Sequence, residues 1–404
     1  MQLYKTTTIL ALILFLSSCH INQPDQTSVN EALVEKEQQW NTPQMEPVQE
    51  AIVSAESINT PETKETERAD NVQLGTDTLQ PAEISPLEKF LSEIKSNIEK
   101  LNEDFTITIE GLTQDDIGNV DLLEHFPELR KAHWRGTFYN NHAIIEMSVT
   151  IAMEYKIFTA YQTKRVALLT AEEKQVLDVV LNVIHNQISK DMSDYEKELT
   201  IHDYIILNCT YDSINHHHNT IPESSYTSYG VLVLGIAVCQ GYSSAFKLFM
   251  DMLNIECDII TGKADDENHA WNRVKIDGDY YLVDVTWNGS ISDSNNRVHY
   301  DFFNLTDEVL NASHIPSKPQ VKAAHSTRYN YFHYNNLTVA NKDDFLVILQ
   351  DALDRGENYV YILYDDIDLR ELIESQDIFK HLKGKSRITY SFSDKVNTLY
   401  LQFE

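Results

Sequence analysis

The chain has 404 residues, with 32 Lys and Arg against 62 Asp and Glu, and so a net charge of −30. This length suggests two or three domains, at about 100–200 residues each, and allows a hydrophobic core without a disulfide framework. The acid excess argues against nucleic-acid binding, which requires a basic surface. Four cysteines without CxxC spacing exclude a disulfide-rich scaffold and the usual thiolate zinc site. We therefore predict no metal site and no cofactor.

The first 18 residues have the layout of a secretory signal. Lys5 precedes an apolar run from Ile9 to Leu16, which is too short for a permanent membrane span. The residues Leu-Ser-Ser-Cys at positions 16–19 resemble the bacterial lipobox, in which the cysteine becomes the lipidated first residue of the mature protein. The alternative is an ordinary signal peptide with an incidental cysteine. We expect lipidation at Cys19 and hence membrane anchoring without a membrane span.

Residues 19–85 are predicted to be a disordered acidic tether that starts with the lipidated cysteine. Positions 20–85 hold 13 acidic and 3 basic residues, with no sustained apolar period. Such a composition buries too little apolar surface to offset the entropy cost of ordering the chain.

Residues 86–165 are predicted to be a small α+β module. Ser85 before Pro86 is a typical helix start, and 132–160 favours two strands that turn near Asn140-Asn141. Residues 325–404 indicate a second such module, with a helix capped by Asn341 and a final hairpin that turns at Ser393-Asp394. Between them, 166–318 begins with two capping boxes, Thr170 with Glu173 and Ser193 with Glu196.

The pair Asp277-Gly278, between two β-rich runs, predicts a two-residue hairpin. Opposing residue numbers then sum to 555, so Asp284 faces Trp271 and has His269 as its diagonal neighbour on the same face. The register of the predicted hairpin alone thus places the Asp284 carboxylate beside the His269 imidazole. An aspartate in this position can fix the tautomer of a histidine and stabilise its charged form.

Cys239 lies where an apolar run meets a predicted helix. The N–H groups and aligned dipoles of a helix N-terminus stabilise a thiolate, and a nearby histidine can accept the thiol proton. Gly241 lets the backbone pass close to another group, and the backbone N–H of Cys239 is a candidate oxyanion donor.

Three segments in this order resemble the transglutaminase-like family. Residues 229–245 (YGVLVLGIAVCQGYSSA) are similar to its cysteine block, 268–272 (NHAWN) to its histidine block, and 281–287 (YLVDVTW) to its aspartate block. Residues 300–310 and His314 are similar to the tail of bacterial members. The likeness covers roughly 195–315. Trp287 is followed by Asn288, where such proteins often have an acidic residue.

The resemblance implies an α+β protein with a papain-like core and a catalytic triad of Cys239, His269 and Asp284. It implies a thioester on the cysteine that is resolved by water, as in a peptidase or amidase, or by an amine, as in a cross-linking acyltransferase. The triad alone does not choose between them. The alternative is a non-catalytic surface module that keeps the fold.

Other residues admit a functional and a structural interpretation. Tyr229, Tyr242 and Trp271 are candidates for the substrate cleft, with core packing as the alternative. The histidines at 216–218 suggest a metal, but a solvated extended loop is favoured, and His202 is expected on a packed helix face. Cys209 and Cys257 are expected in the core, although a disulfide between them is conceivable outside the cell.

The expected partners are a protein or peptide substrate, with cell-wall peptides as candidates, and the membrane through the lipid at Cys19. The expected location is the extracytoplasmic face of the cell membrane. No nucleic-acid partner is expected.

Overall fold

A computed structural model describes residues 84–291, 298–365, 369–374 and 377–404. The predicted signal peptide, Cys19 and nearly all of the predicted tether lie outside these residues. Within the described ranges, no helix combines the length and apolar character that crossing a bilayer requires.

The N-terminal region pairs a three-stranded sheet with helices on its flank. The sheet has the order β1-β3-β2, with antiparallel pairing throughout. Ser85 caps the first helix, as predicted, and Glu88 completes a capping box with it. The elements are α1 (Pro86–Glu99), β1 (Asp104–Glu110), α2 (Gln114–Gly118), α3 (Leu122–His125), β2 (Leu129–Phe138), β3 (His142–Ile151) and α4 (Met153–Gln162).

The two strands predicted over 132–160 do turn at Asn140-Asn141, but the second ends at Ile151 and helix α4 follows. Its β-branched and aromatic residues made this segment resemble a strand. In the structure, Ile157 and Ala160 face the core at helical spacing. The buried Lys156 pairs with Glu103 at 3.0 Å and with Glu173 at 3.2 Å, which stabilises the helix in this position.

The central region begins with two long helices and ends in a sheet of order β8-β7-β6-β9. Both predicted capping boxes are present at the starts of these helices. The helices are α5 (Ala171–Gln187), α6 (Asp194–Asn208), α7 (Ser213–His218), α8 (Cys239–Met252), α9 (Val285–Ile291) and α10 (Asp307–Leu310). The strands are β4 (Thr210–Tyr211), β5 (Ile236–Ala237), β6 (Cys257–Ala264), β7 (Glu267–Ile276), β8 (Asp279–Val283) and β9 (His314–Pro316).

The C-terminal region is a four-stranded sheet of order β10-β11-β13-β12 with helices packed on it. Asn341 caps α12, as predicted. The final hairpin has a longer turn than expected, because residues 394–397 separate its strands. The elements are α11 (Tyr331–Tyr334), β10 (Thr338–Val339), α12 (Lys342–Asp354), β11 (Tyr359–Tyr364), α13 (Leu369–Glu374), β12 (Ile388–Ser393) and β13 (Thr398–Phe403).

The described residues all belong to one unit, Leu79–Glu404. Buried side chains of the N-terminal and central regions form one continuous hydrophobic cluster, which runs from Phe90 to Phe303. A smaller cluster beside the central sheet also contains Val396 from the final hairpin. The chain is therefore an α+β protein in which both outer regions pack against the central region.

Candidate active site

The hairpin of β7 and β8 brings His269 and Asp284 together. Asn272 pairs with Val283, and Ile276 with Asp279, so the predicted register is confirmed. Asp277 and Gly278 form the turn with φ of 50° and 94°, the left-handed conformation that a tight hairpin requires.

Asp284 follows directly after β8, and its Oδ2 accepts a hydrogen bond from His269 Nε2 at 2.7 Å. The carboxylate is fully buried. Its other oxygen, Oδ1, accepts from the backbone N–H of Trp287 at 3.0 Å. Both carboxylate oxygens are therefore held, which fixes the orientation of the His269 ring.

Cys239 is the first residue of helix α8 and is partly exposed. Val238 precedes it and makes no side-chain cap, so no capping group competes for the N–H groups of the first turn. A Cβ on Gly241 would lie 2.6 Å from the backbone oxygen of Ser225. The glycine thus permits the close approach that the sequence predicted.

Helix α8 is tied to strand β7 by Asn272, whose Nδ2 donates to Ser243 O at 3.0 Å in the buried core. This bond sets the helix that carries Cys239 against the strand that carries His269. The Cys239 side chain lies close enough to His269 to raise the pKa of the imidazole. His269 therefore lies beside a thiol and hydrogen-bonds to a carboxylate.

The charges of this array stabilise one another. Burial lowers the pKa of His269, but the Asp284 carboxylate, the hydrogen bond with Asp284 and the nearby Cys239 side chain outweigh burial and raise that pKa to about 10. Burial also raises the pKa of Asp284, but His269 and His314 together bring it well below its ordinary value. Asp284 is thus an anion and His269 a cation at neutral pH.

His314 is the site residue to which sequence reasoning assigned no role. Its Nε2 lies 3.0 Å from Asp284 Oδ2, the oxygen that His269 also uses. The side chain is fully buried on β9, and its Nδ1 lies 2.8 Å from the Ser313 hydroxyl. Only the pairing of β9 with the far edge of β6 brings it there, so no local pattern signals this contact.

Asn288 replaces the frequent acidic residue and completes a second buried network. Its Nδ2 donates to His202 Nε2 at 2.8 Å, and its Oδ1 accepts from the backbone N–H of Phe302 at 2.8 Å. Phe302 O in turn accepts from the backbone N–H of Asp284 at 2.9 Å. His202 is thus a fully buried helix-face residue, as expected, and supports the backbone at Asp284.

The candidate cleft residues are mostly core residues. Tyr242 is 1% exposed, and its hydroxyl donates to Cys209 O at 3.0 Å. Trp271 is also 1% exposed and packs in the cluster beside the central sheet. The expected cleft role is therefore corrected for both, because neither side chain reaches solvent. Tyr229 is half-buried and packs against the main core.

A cavity of about 470 Å³ borders His269 instead. Trp287, which the sequence did not single out for the cleft, forms one wall, with its ring centroid 5.8 Å from that of His269. Asp265 and Glu267 also line this cavity. It has room for part of a peptide-sized substrate beside the histidine.

The histidines at 216–218 lie in helix α7 and not in the extended loop that was expected. The Asp212 side chain caps the start of this helix, and Asn219 in the left-handed conformation ends it. His216 lines the cavity, and its Nε2 lies 3.8 Å from Glu267 Oε2.

Cys209 and Cys257 are free, buried thiols, and the conceivable disulfide between them is absent from the structure. Burial raises the pKa of Cys209 to about 11 and that of Cys257 well above its ordinary value. Both are core residues, as expected, and both are poor nucleophiles at neutral pH.

His269, Asp284 and His314 are also close enough to hold a metal ion, since their candidate ligand atoms lie within 4.8 Å of one another. The hydrogen bonds at 2.7 and 3.0 Å already use both Nε2 atoms and Asp284 Oδ2. Metal binding here would remove the proton that His269 shares with Asp284.

Solved structures with similarity to this chain include a TGase, with 19% identity and a TM-score of 0.26 over 49% of this chain and 54% of that one. A proposed cysteine protease from Cytophaga hutchinsonii has 15% identity and a TM-score of 0.23 over 46% and 65% of the two chains. A proposed protease from Parabacteroides distasonis ATCC 8503 has 9% identity and a TM-score of 0.20 over 45% and 43%.

The chain thus spans less than two thirds of the length of each of these proteins. A search of curated proteins found no match. The family model described as "Transglutaminase-like superfamily" matches residues 182–285, which include all three members of the predicted triad. This central part of the chain is therefore a domain of the transglutaminase-like superfamily.

Proposed function

We propose that this protein is a thiol enzyme that acts on peptide or carboxamide carbonyl groups through a thioester on Cys239. The observation that carries the proposal is the position of His269, which lies beside the Cys239 side chain and hydrogen-bonds to the buried Asp284 carboxylate at 2.7 Å. A raised pKa of His269 favours transfer of the thiol proton to the imidazole.

In the first half-reaction, the Cys239 thiolate attacks the carbonyl carbon, and a tetrahedral oxyanion forms. The N–H groups at the start of α8 are the candidate donors to this oxyanion. The intermediate collapses as the C–N bond breaks, and the leaving amine takes the proton from the His269 imidazolium. The acyl group remains on Cys239 as a thioester.

In the second half-reaction, His269 takes a proton from the acceptor, which attacks the thioester carbonyl. The C–S bond then breaks, and Cys239 leaves as a thiolate beside the His269 imidazolium, which restores the starting state. Water as acceptor gives a peptidase or amidase, and an amine gives a cross-linking acyltransferase. We favour hydrolysis, because water is always present as a nucleophile. Proteins or peptides, including cell-wall peptides, are the proposed substrates.

We place this activity at the extracytoplasmic face of the cell membrane, anchored by a lipid on Cys19. The support is the lipobox-like pattern at 16–19 and the acidic segment that follows it. A flexible acidic segment suits a tether that holds a domain away from an anionic surface.

The competing function is a non-catalytic module that keeps the fold. A blocked cleft or a Cys239 without a histidine partner would favour it. The partly exposed Cys239 and the cavity beside His269 favour the enzyme.

The test is mass spectrometry of surface proteins and cell-wall peptides incubated with the wild type or with Cys239→Ala. Cys209→Ala is the matched control, since it removes a buried thiol that is not part of the triad. New cleavages or new isopeptide bonds with the wild type and the control, but not with Cys239→Ala, support the proposal and identify the acceptor. Identical products from all three proteins would favour the binding module.

A further inference from the structure

The turn of the final hairpin reaches the wall of the active-site cavity. The Lys395 ammonium lies 4.3 Å from the ring centroid of Trp287 and forms an ion pair with Asp265. Trp287 and Asp265 both line the cavity beside His269. Lys395 of the C-terminal region thus contacts two residues of the cavity wall: Asp265, in the turn between β6 and β7, and Trp287, in helix α9.

The hairpin is fixed in this position by its neighbours in sequence. Val396 is 5% exposed and packs in the cluster that contains Trp271. The hydroxyl of Thr398, at the start of β13, donates to the buried carboxylate of Asp301. Lys395 is therefore presented from an anchored turn and not from a free loop.

Trp287 links the lysine to the catalytic array. Its ring centroid lies 5.8 Å from that of His269 and 4.5 Å from that of His314. Its backbone N–H also donates to Asp284 Oδ1. An interaction that fixes the Trp287 ring therefore also stabilises the packing around His269 and His314.

The lysine also changes the charge of the cavity. The described residues that line the cavity include Asp265 and Glu267 but no lysine or arginine. Lys395, at the border, is the cation that pairs with Asp265. Without it, the cavity that His269 lines would carry an additional uncompensated negative charge.

We propose that Lys395 is a positioning residue of the cleft. Through Lys395, the C-terminal module holds the Trp287 ring in place and determines whether a positively or a negatively charged substrate group is favoured in the approach to Cys239. This assigns the C-terminal module a part in the substrate site. The proposal rests on the proposed function for its biological meaning. The geometry of the lysine, the tryptophan and the aspartate does not depend on turnover.

The test uses small thiol reagents of opposite charge, because no substrate is needed. Full-length protein is treated with cationic aminoethyl or anionic sulfonatoethyl methanethiosulfonate, and modification at Cys239 is followed by mass spectrometry. The variants are Lys395→Met, Lys395→Arg and the double variant Asp265→Asn with Lys395→Met. Lys383→Met is the matched control, since it breaks an exposed ion pair with Asp354 in the same module.

We expect Lys395→Met to raise the ratio of cationic to anionic rates about threefold or more, because an unpaired Asp265 carboxylate on the wall of the cavity attracts cations. Lys395→Arg and the double variant should restore the wild-type ratio. An unchanged ratio in Lys395→Met, an equal change in Lys383→Met, or a change that persists in the double variant would overturn the proposal.

The role of Lys395 and the proposed enzyme function are tested independently, the first by the ratio of modification rates and the second by the products. Any accessible thiol at position 239 reports the charge around it, whether or not it forms a thioester. A changed ratio together with an absence of new products would retain the role of Lys395 and refute the enzyme. New products with an unchanged ratio would retain the enzyme and refute the role of Lys395.

Discussion

His314 Nε2 lies 3.0 Å from Asp284 Oδ2, the oxygen that also binds His269 Nε2 at 2.7 Å. One buried carboxylate oxygen therefore serves two imidazoles. Because His314 comes from β9 and His269 from β7, the carboxylate also links two strands that are not neighbours in the sheet. We infer that His314 fixes Asp284, and that Asp284 in turn fixes His269.

His314→Ala is expected to destabilise the protein by about 2–4 kcal/mol, since it removes a buried side chain and a hydrogen bond to a charged group. His314→Gln retains a donor and should lose less. Urea unfolding measures both, with the exposed His185→Ala as control. Equal stability of wild type and His314→Ala would show that the second imidazole does not hold Asp284.

Asp284→Asn should lower the rate at which iodoacetamide alkylates Cys239, while the fold persists. Burial lowers the pKa of His269, and the Asp284 charge is the largest contribution that raises it. Without that charge, the imidazole is a weaker cationic partner for the Cys239 thiol. The loss should reach about 100-fold at pH 6.5, where an ordinary thiol is only about 1% ionised. Circular dichroism checks the fold, and global unfolding would instead indicate a structural aspartate.

The raised pKa of His269 predicts a pH dependence of stability. This residue binds a proton in the folded state up to pH about 10, but in the unfolded state only up to about 6.5. The contribution of this proton to the free energy of unfolding is therefore complete below pH 6.5 and is lost as the pH rises towards 10. Chemical unfolding across this range should show a decline that is smaller in His269→Gln. The same decline in both proteins would rule out His269 as its source.

Asn288 is expected to stabilise the backbone beside Asp284 through its hydrogen bonds to His202 and Phe302. Asn288→Leu leaves His202 and the N–H of Phe302 without their buried partners, which should cost about 2–4 kcal/mol in unfolding free energy. Asn186→Leu, on an exposed helix face, is the control. No loss in Asn288→Leu would show that the network is dispensable.

The sequence predicted the parts of the site that local rules determine. Asp277-Gly278 specified the hairpin, and hairpin register alone placed His269 beside Asp284. The start of helix α8 at Cys239 followed from the end of an apolar run and the apolar spacing after it. These features depend on turn conformation and on strand or helix periodicity, which are encoded within about 20 residues.

Contacts between distant segments were not predictable in this way. His314 reaches Asp284 only because β9 pairs with β6, and Lys395 reaches Trp287 only because the final hairpin packs on the central region. The burial of Tyr242 and Trp271 likewise depends on how helix and sheet pack. A strand pattern also failed for α4, where paired buried charges and core packing outweigh β propensity.

The central claim is that His269 activates Cys239, and the most direct measurement is site-resolved alkylation of the full-length protein by iodoacetamide between pH 5 and 9. In the wild type, Cys239 should react well before Cys209 and Cys257, and its rate should already be high at pH 6. His269→Gln, which removes the imidazole but keeps a polar side chain, should lower the rate at pH 6 by about 100-fold. Equal rates in wild type and His269→Gln, or equal labelling of all three thiols, would contradict the account.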